Sequence, residues 1–321
     1  MSAVPRLLRE YSFYKTGGTC ERLFAPRSFE ELQDHVQEIR RLGLPWFLLG
    51  GGTNSLVLDS HWPGAVIVFR WLDSIVVDGA VIFAGAGVEN TRLAEVALEH
   101  GLDGITWMNR LPGQLGGTVR MNARCYGGEI SQVVRAVEVV TVQGQRRTYR
   151  DKSVFRGYKD TMFMLNGDLV AGAEIVLTPG GNRADMLAKM KFCADDRISK
   201  GQFNHPNCGC IFKNDYRVGV PSGMLLEEAG AKGLSCGLAE VSPGHANFVY
   251  NKGATSDDIL EVSFMMRELV WKKFGVWLEY EMEVLGQMSG DLQRRFFEKR
   301  VNQPSPELEG LREKFKKRIN L

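Results

Sequence analysis

No stretch of the chain approaches the roughly 18 consecutive apolar residues that a membrane helix needs, and the opening segment MSAVPRLLREYSFYK has no apolar secretory core. A cytoplasmic location and no membrane partner are therefore expected. There is no excess of charge of one sign either: 40 Lys and Arg against 38 Asp and Glu leave +2, which points away from nucleic acid. Cysteine is sparse, and Cys20, Cys125, Cys193, Cys208, Cys210 and Cys236 show no disulfide or zinc-ribbon spacing, so mostly free thiols are expected. Neither a Walker loop nor a GxGxxG fingerprint occurs, and no internal repeat is visible. What remains is a chain of 321 residues, 44% hydrophobic, enough for a substantial core in two or three domains.

Apolar runs separated by glycine turns give a mixed α/β layout. Trp46 to Leu49 feeds into Gly50-Gly51-Gly52-Thr53-Asn54-Ser55 and apolar character resumes at Leu56, which reads as strand, glycine loop, strand. Ala65 to Phe69, Val81 to Ala84, Val133 to Val142 and Leu169 to Leu177 read as further strands, and Glu89 to Glu99 as a helix ending near Gly101. Pro179-Gly180-Gly181-Asn182 is the clearest punctuation and marks a domain boundary. Domains are expected at 1–180, split near 72, and at 181–286, followed by a charged, helical or partly disordered tail at 287–321. Helices are expected near Met186 to Ile198, Ser222 to Glu228 and Ser256 to Phe274. Val276 to Leu285 alternates as a strand that puts Glu279, Glu281 and Glu283 on one face.

Gly50 to Ser55 offers bare backbone beside hydroxyl and amide donors, as a loop closing on pyrophosphate requires, although an ordinary tight turn explains it equally well. A second loop, Leu111-Pro112-Gly113-Gln114-Leu115-Gly116-Gly117-Thr118 through Asn122, repeats the chemistry, and two such loops can clamp one dinucleotide.

Together these motifs resemble the UDP-N-acetylenolpyruvoylglucosamine reductase family. Leu49 to Asn54 looks like its LGGGSN loop and Leu111 to Asn122 like its IPGxxGGAxxMNAG loop. Tyr149-Arg150-Asp151-Lys152-Ser153 resembles YRxS, Gly209-Cys210-Ile211-Phe212-Lys213-Asn214 resembles GSxFKNP, and Leu278-Glu279-Tyr280-Glu281 resembles LEPE. Ser242 to Asn251 is similar to a segment near the substrate. The likeness runs in order from about residue 12 to residue 286 and fits the shorter subtype, without an inserted tyrosine loop.

The resemblance implies an α+β protein: a two-subdomain FAD-binding fold of the vanillyl-alcohol-oxidase type plus an α/β substrate-binding domain. It implies non-covalent FAD held by Gly50, Gly51, Gly52, Thr53, Asn54, Ser55, Pro112, Gly113, Gly116, Gly117, Thr118 and Asn122. NADPH is implied as hydride donor in the reduction of UDP-N-acetylglucosamine enolpyruvate to UDP-N-acetylmuramate, a step of peptidoglycan precursor synthesis. No separate nicotinamide site is visible, which fits alternating use of one pocket, and a monomer is favoured. The chain departs from the family at Arg124-Cys125, where small residues are usual, at Asp215 for proline, and at Cys210 for serine.

Hydride addition to an enolpyruvyl ether leaves an enolate that must be stabilised and then protonated. By charge pattern alone Arg150 is a surface arginine; the motif match makes it the stabiliser of the enolate, with its planar fork on the carboxylate. Glu281 is one of three carboxylates on its strand, selected by motif register as the partner of that carboxylate. Cys210 is the expected proton donor, a thiol of reference pKa about 8.5 being a better acid than a serine hydroxyl. Tyr149, Lys213, Asn214, His245 and Asn247 are expected to bind substrate, though each alone reads as a solvated or turn residue. His205, Cys208 and Cys210 could be metal ligands, but no second cluster completes a tetrahedron, so no metal is expected. Competing readings are an oxidase on the same flavin fold, a catalytically silent nucleotide-sugar-binding protein, and a Cys-His hydrolase, which leaves the glycine loops unexplained.

Overall fold

The computed structural model describes residues 7–319. The chain forms two compact units, one made of Cys20–Gly51 and Pro63–Arg197, the other of residues through Thr19, Gly52–Trp62 and residues from Ile198 onward. We call them the sheet unit and the helical unit. This division differs from the expected boundaries at 180 and 286. The chain leaves the sheet unit inside the first glycine loop and returns after Trp62, a detour that local composition does not mark.

In the sheet unit, five antiparallel neighbours run in the order Arg146–Tyr149, Val134–Val140, Leu169–Val176, Val81–Gly85, Ile75–Asp78. Val137, Val139, Ala173, Ile175 and Ile82 point to one face, where helix Asn90–Glu99 and the short helix Leu115–Arg120 complete a core through Leu93, Ala97, Leu115 and Val119. A smaller sheet, Cys20–Phe24, Trp62–Val68 and Trp46–Leu49, packs with helix Phe29–Leu42 through Leu32, Val36, Ile39 and Ile67. That helix is capped by Ser28, whose side chain accepts from Glu31 N, and stops at left-handed Gly43.

The helical unit is organised around Ser256–Phe274. Thr255 and Asp258 form a reciprocal capping box at its start, and Gly275 at φ 64° ends it. Its apolar residues Ile259, Leu260, Val262, Phe264, Met266 and Val270 pack against the small sheet Ser235–Cys236, Ala239–Val241, Val249–Asn251. Residues after 286 are part of this core: helix Pro306–Ile319 buries Leu308 and Leu311, and helix Gly290–Phe297 precedes it.

The strand expected over Val276 to Leu285 is corrected. Only Glu283–Leu285 is a strand, paired in parallel with Ser55–Val57. Val276, Leu278 and Met282 are buried as the alternation predicts, but Trp277 is buried too, so there is no clean polar face.

Candidate active site

The two glycine loops meet within the sheet unit. A Cβ on Gly51 would lie 3.2 Å from Gly113 Cα, and one on Gly50 would lie 3.6 Å from Gln114 Oε1. Gly116 is a packing glycine, since a Cβ there would meet that of Ala86 at 2.8 Å, whereas Gly117 faces open space. The Thr118 hydroxyl donates to buried Asn90 Oδ1 at 2.8 Å and so anchors the short helix. Asn122, at φ 46°, donates through Nδ2 to Glu129 Oε1 at 2.9 Å and Gly157 O at 3.0 Å. Gln114 Oε1 and Asn122 Oδ1 are buried acceptors with no donor among the described residues. Buried oxygens of that kind carry an unfavourable desolvation cost until a donor arrives. The FAD implied by the resemblance fits, because its ring N–H and its hydroxyls are donors and Gly50, Gly51, Gly113 and Gly117 leave backbone uncovered.

The remainder of the first loop has a different task. Gly52 sits at φ 64°, and a Cβ there would come within 2.9 Å of the backbone at Tyr11, Ser12 and Phe13. Asn54 Nδ2 donates to Glu281 O at 2.9 Å, Glu283 N donates to Asn54 O at 3.0 Å, and Ser55 opposes Glu283 in the parallel pair. Thr53 is half-buried beside them. Asn54 and Ser55, expected to face cofactor, thus build the support on which Glu281 stands.

Glu281 and Cys210 lie on neighbouring segments of the helical unit. Phe212 and Tyr280 form an isolated antiparallel bridge; Glu281 N donates to Ile211 O at 2.8 Å and Lys213 N to Glu279 O at 2.9 Å. Residues 68 positions apart are thereby joined in register, as the two motifs require but neither shows. Cys210 and Glu281 are half-buried, while Cys208 is fully buried. Burial first of all, with the nearby Cys210 and Glu281 adding, pushes the Cys208 thiol far above its ordinary value, so it stays protonated. His205 packs its ring on Tyr250 at 5.2 Å.

Several expected substrate ligands are part of this support. Buried Asn247 accepts from Phe212 N at 3.0 Å and donates to Phe212 O at 2.8 Å and to Ser222 Oγ at 3.0 Å. Asn214 Oδ1 accepts from Ser222 N and Oγ, both at 2.9 Å, fixing the start of helix Ser222–Glu228. His245 Nδ1 accepts from Asn247 N at 3.2 Å and its ring stacks on Phe248 at 4.2 Å. Burial, with Lys200 nearby, lowers the His245 pKa to about 4, so the imidazole is neutral. Tyr149 donates to Asp168 Oδ2 at 3.2 Å and packs edge-on against Phe163.

Arg150 is not brought to the flavin loops. Its Nη1 and Nη2 donate to Glu174 Oε2 at 3.0 Å and Oε1 at 3.3 Å, and Arg135 holds the same carboxylate at 2.9 Å. These two arginines hold the Glu174 carboxyl below its usual range. Glu174 alternates with the core residues Ala173 and Ile175, so it faces away from the side covered by helix Leu115–Arg120. Arg150 itself is 63% exposed.

A second cation does reach the loop. Strands Phe155–Gly157 and Asp160–Thr161 form a hairpin with Tyr158-Lys159 at its turn, and Lys159 has φ 53°. Asn122 grips this hairpin at Gly157 O, and Thr161 Oγ1 donates to Arg120 O at 2.5 Å. Burial raises the Cys125 thiol pKa, and half-buried Lys159 is among the cations close enough to oppose that shift in part; the Arg124 guanidinium lies 5.4 Å from the Tyr158 ring centroid. The bulky cation at the family's glycine position is thus accommodated beside Tyr158. Tyr158-Lys159-Asp160-Thr161 has the four-residue spacing of YRxS, with Lys for Arg and Thr for Ser. Tyr149 to Ser153 carries one residue too many. Spacing was the available signal, and the identity of Arg150 outweighed it.

Among the described residues no helix is long and apolar enough to cross a membrane. The profile of the family described as "FAD binding domain" matches residues 20–149, and that described as "UDP-N-acetylenolpyruvoylglucosamine reductase, C-terminal domain" matches 201–285. The UDP-N-acetylenolpyruvoylglucosamine reductase of Lactobacillus helveticus is 34% identical over 280 residues, covering 87% of this chain and 93% of that protein. That of Carboxydothermus hydrogenoformans is 34% identical over 282 residues, with 87% and 92% covered. The crystal structure of UDP-N-acetylenolpyruvylglucosamine reductase from Thermus caldophilus matches with a TM-score of 0.74 and 32% identity, over 88% of this chain and 98% of that one. This chain belongs to the UDP-N-acetylenolpyruvoylglucosamine reductase family.

Proposed function

We propose that the chain reduces the enolpyruvyl ether of UDP-N-acetylglucosamine enolpyruvate to the lactyl ether of UDP-N-acetylmuramate, with NADPH as the source of the hydride. FAD, when bound, would supply the hydride-transfer chemistry between NADPH and the terminal methylene carbon. The Gly50-Gly51 and Gly113 to Asn122 loops hold the cofactor through backbone, with Gln114 and Asn122 supplying acceptors. Pro112 and Gly113 keep that approach open.

Reduction places negative charge on the carboxylate side of the enolpyruvyl group. Lys159 is assigned to that carboxylate in place of Arg150, because it sits on the hairpin gripped by the flavin loop and Arg150 is paired with Glu174 on the opposite sheet face. Glu281 is assigned to hydrogen-bond the enolpyruvyl group. Cys210 gives its thiol proton to the carbon next to the carboxylate, and Lys213, on the same segment, meets the diphosphate. Peptidoglycan precursor synthesis in the cytoplasm is the setting this reaction implies.

The observation that carries the reading is the Phe212 to Tyr280 bridge, which joins the segment of Cys210 to the segment of Glu281 on a support that includes buried Asn247. The test is a visible spectrum of the purified protein through one cycle. Yellow colour that bleaches with NADPH and returns anaerobically on addition of the enolpyruvyl substrate is expected. Return of colour only with oxygen would favour an oxidase instead.

A further inference from the structure

In the family's LEPE motif a proline precedes the glutamate; here Tyr280 does. Proline fixes φ near −65° and would stiffen the backbone beside Glu281. Tyrosine does not, yet Tyr280 is held on three sides. Its ring stacks on Phe296 at 4.2 Å and 14°, lies 4.9 Å from Phe212 at 30°, and its hydroxyl is 3.0 Å from Ser263 Oγ. Phe296 belongs to the segment after residue 286, beyond the family match, which ends at 285.

That segment is anchored along its length to the elements flanking Glu281. Trp277 N donates to Asn302 Oδ1 at 2.7 Å and Trp277 Nε1 to Glu298 O at 2.8 Å. Gln303 N donates to Gly275 O at 2.7 Å, and a Cβ on Gly275 would sit 1.7 Å from Gln303 O, so only glycine admits this approach. Arg295 and Arg300 make two-pronged pairs with Glu261 and Glu268 on helix Ser256–Phe274. Arg267, buried and without a carboxylate within ion-pair distance among the described residues, donates to the carbonyls of Arg295 and Phe296. Its guanidinium lies 4.2 Å from the Trp277 ring and 4.7 Å from the Tyr280 ring, where cation–π attraction offsets part of its desolvation.

We propose that the segment 287–305 replaces the missing proline: Phe296 and Arg267 immobilise Tyr280 and so position Glu281 and, through Phe212, Cys210. Phe296, Arg267 and Tyr280 are positioning residues, and the inference rests on the roles given above to Glu281 and Cys210. The hydrogen bonds beside the bridge use Glu281 N and Glu279 O, so none of them needs the Tyr280 N–H and proline there removes no bond of that ladder.

Anaerobic single-turnover kinetics of the FAD-loaded full chain test this. Phe296→Ala should leave flavin content and bleaching by NADPH unchanged and slow reoxidation by the enolpyruvyl substrate by roughly 10- to 100-fold, the scale of a misplaced catalytic group. Phe296→Leu, which keeps apolar volume but not the flat stack, should show the same slowing at an unchanged unfolding midpoint, and it decides the matter if the alanine variant loses flavin. Adding Tyr280→Pro to either variant should restore much of the rate, a rescue that a merely structural role does not supply. Reoxidation at the native rate in Phe296→Leu, or no recovery with Tyr280→Pro, would overturn the proposal. Glu281→Gln separates the two levels: native reoxidation there removes the role of Glu281, whereas slow reoxidation there with fast Phe296 variants removes only the positioning.

Discussion

Asn247 and Phe212 hydrogen-bond each other in both directions, the Phe212 N–H donating to Asn247 Oδ1 at 3.0 Å and Asn247 Nδ2 donating to the Phe212 carbonyl at 2.8 Å. A buried side chain thus takes the place of a neighbouring strand for the segment that carries Cys210. Asn247→Ala should lower stability by about 1–3 kcal/mol, since it leaves the buried Phe212 N–H without its acceptor. Urea unfolding of the FAD-loaded protein measures it as a lower midpoint. A raised KM with an unchanged midpoint would return Asn247 to the role of substrate ligand.

Lys159 and Arg150 offer a direct contrast. Lys159→Met should slow flavin reoxidation by substrate about 10²-fold or more, the usual cost of removing a preorganised charge, and leave bleaching by NADPH intact. Lys159→Arg should keep much of the activity, because arginine is the motif's usual cation. Arg150→Met should cost little in turnover, its guanidinium being exposed and paired with Glu174. The opposite pattern in the two methionine variants would restore Arg150.

How far the sequence was legible follows from these two cases. Strand Trp46–Leu49 and helices Ser222–Glu228 and Ser256–Phe274 fall at their expected positions, because periodicity and capping are local. Glu281 and Cys210 were chosen through motif register, and the structure joins their two segments. What local pattern does not carry is pairing: Ser55–Val57 joins Glu283–Leu285 across more than two hundred residues, which moves part of the first glycine loop into the helical unit. Polar residues such as Asn54, Asn214 and Asn247 read as ligands because an amide that binds backbone looks the same in sequence as one that binds substrate. After residue 286 apolar periodicity is legible over Leu308 to Ile319, but the charged composition concealed Phe296 and the fact that Leu308 and Leu311 join the core, because their partners lie on other elements.

His245 predicts an acid limb in stability. Its folded pKa is lowered to about 4 from an ordinary 6.5, first by burial and then by Lys200, with Lys232 also opposing its charge and Glu227 favouring it. Between those values the unfolded chain takes up a proton that the folded protein does not, so this contribution is complete above about pH 6.5 and is lost as pH falls toward 4. Melting temperature should therefore decline over that window, and His245→Gln should flatten the decline. An identical slope in the variant would show that other groups dominate. The neutral ring is also a poor proton donor near neutral pH.

Cys210 and Cys208 lie two residues apart in different surroundings, one half-buried next to the Glu281 segment, the other enclosed by core side chains. Protonation of the enolate needs an acid that is reachable and small, and only Cys210 meets the first condition. Cys210→Ala should slow reoxidation by substrate strongly while flavin content and NADPH bleaching persist. Cys210→Ser should keep much of the rate, since the hydroxyl has similar reach and serine is the residue usual at this motif position. Because the thiol must carry its proton, turnover of the native protein should fall as pH rises through the thiol's titration, and that limb should move or vanish in Cys210→Ser. Cys208→Ala should instead lower the unfolding midpoint and leave the pH profile of turnover in place, as expected for a buried thiol that remains protonated. Undiminished single-turnover reoxidation in Cys210→Ala would remove the thiol from the mechanism and leave an ordered water as donor.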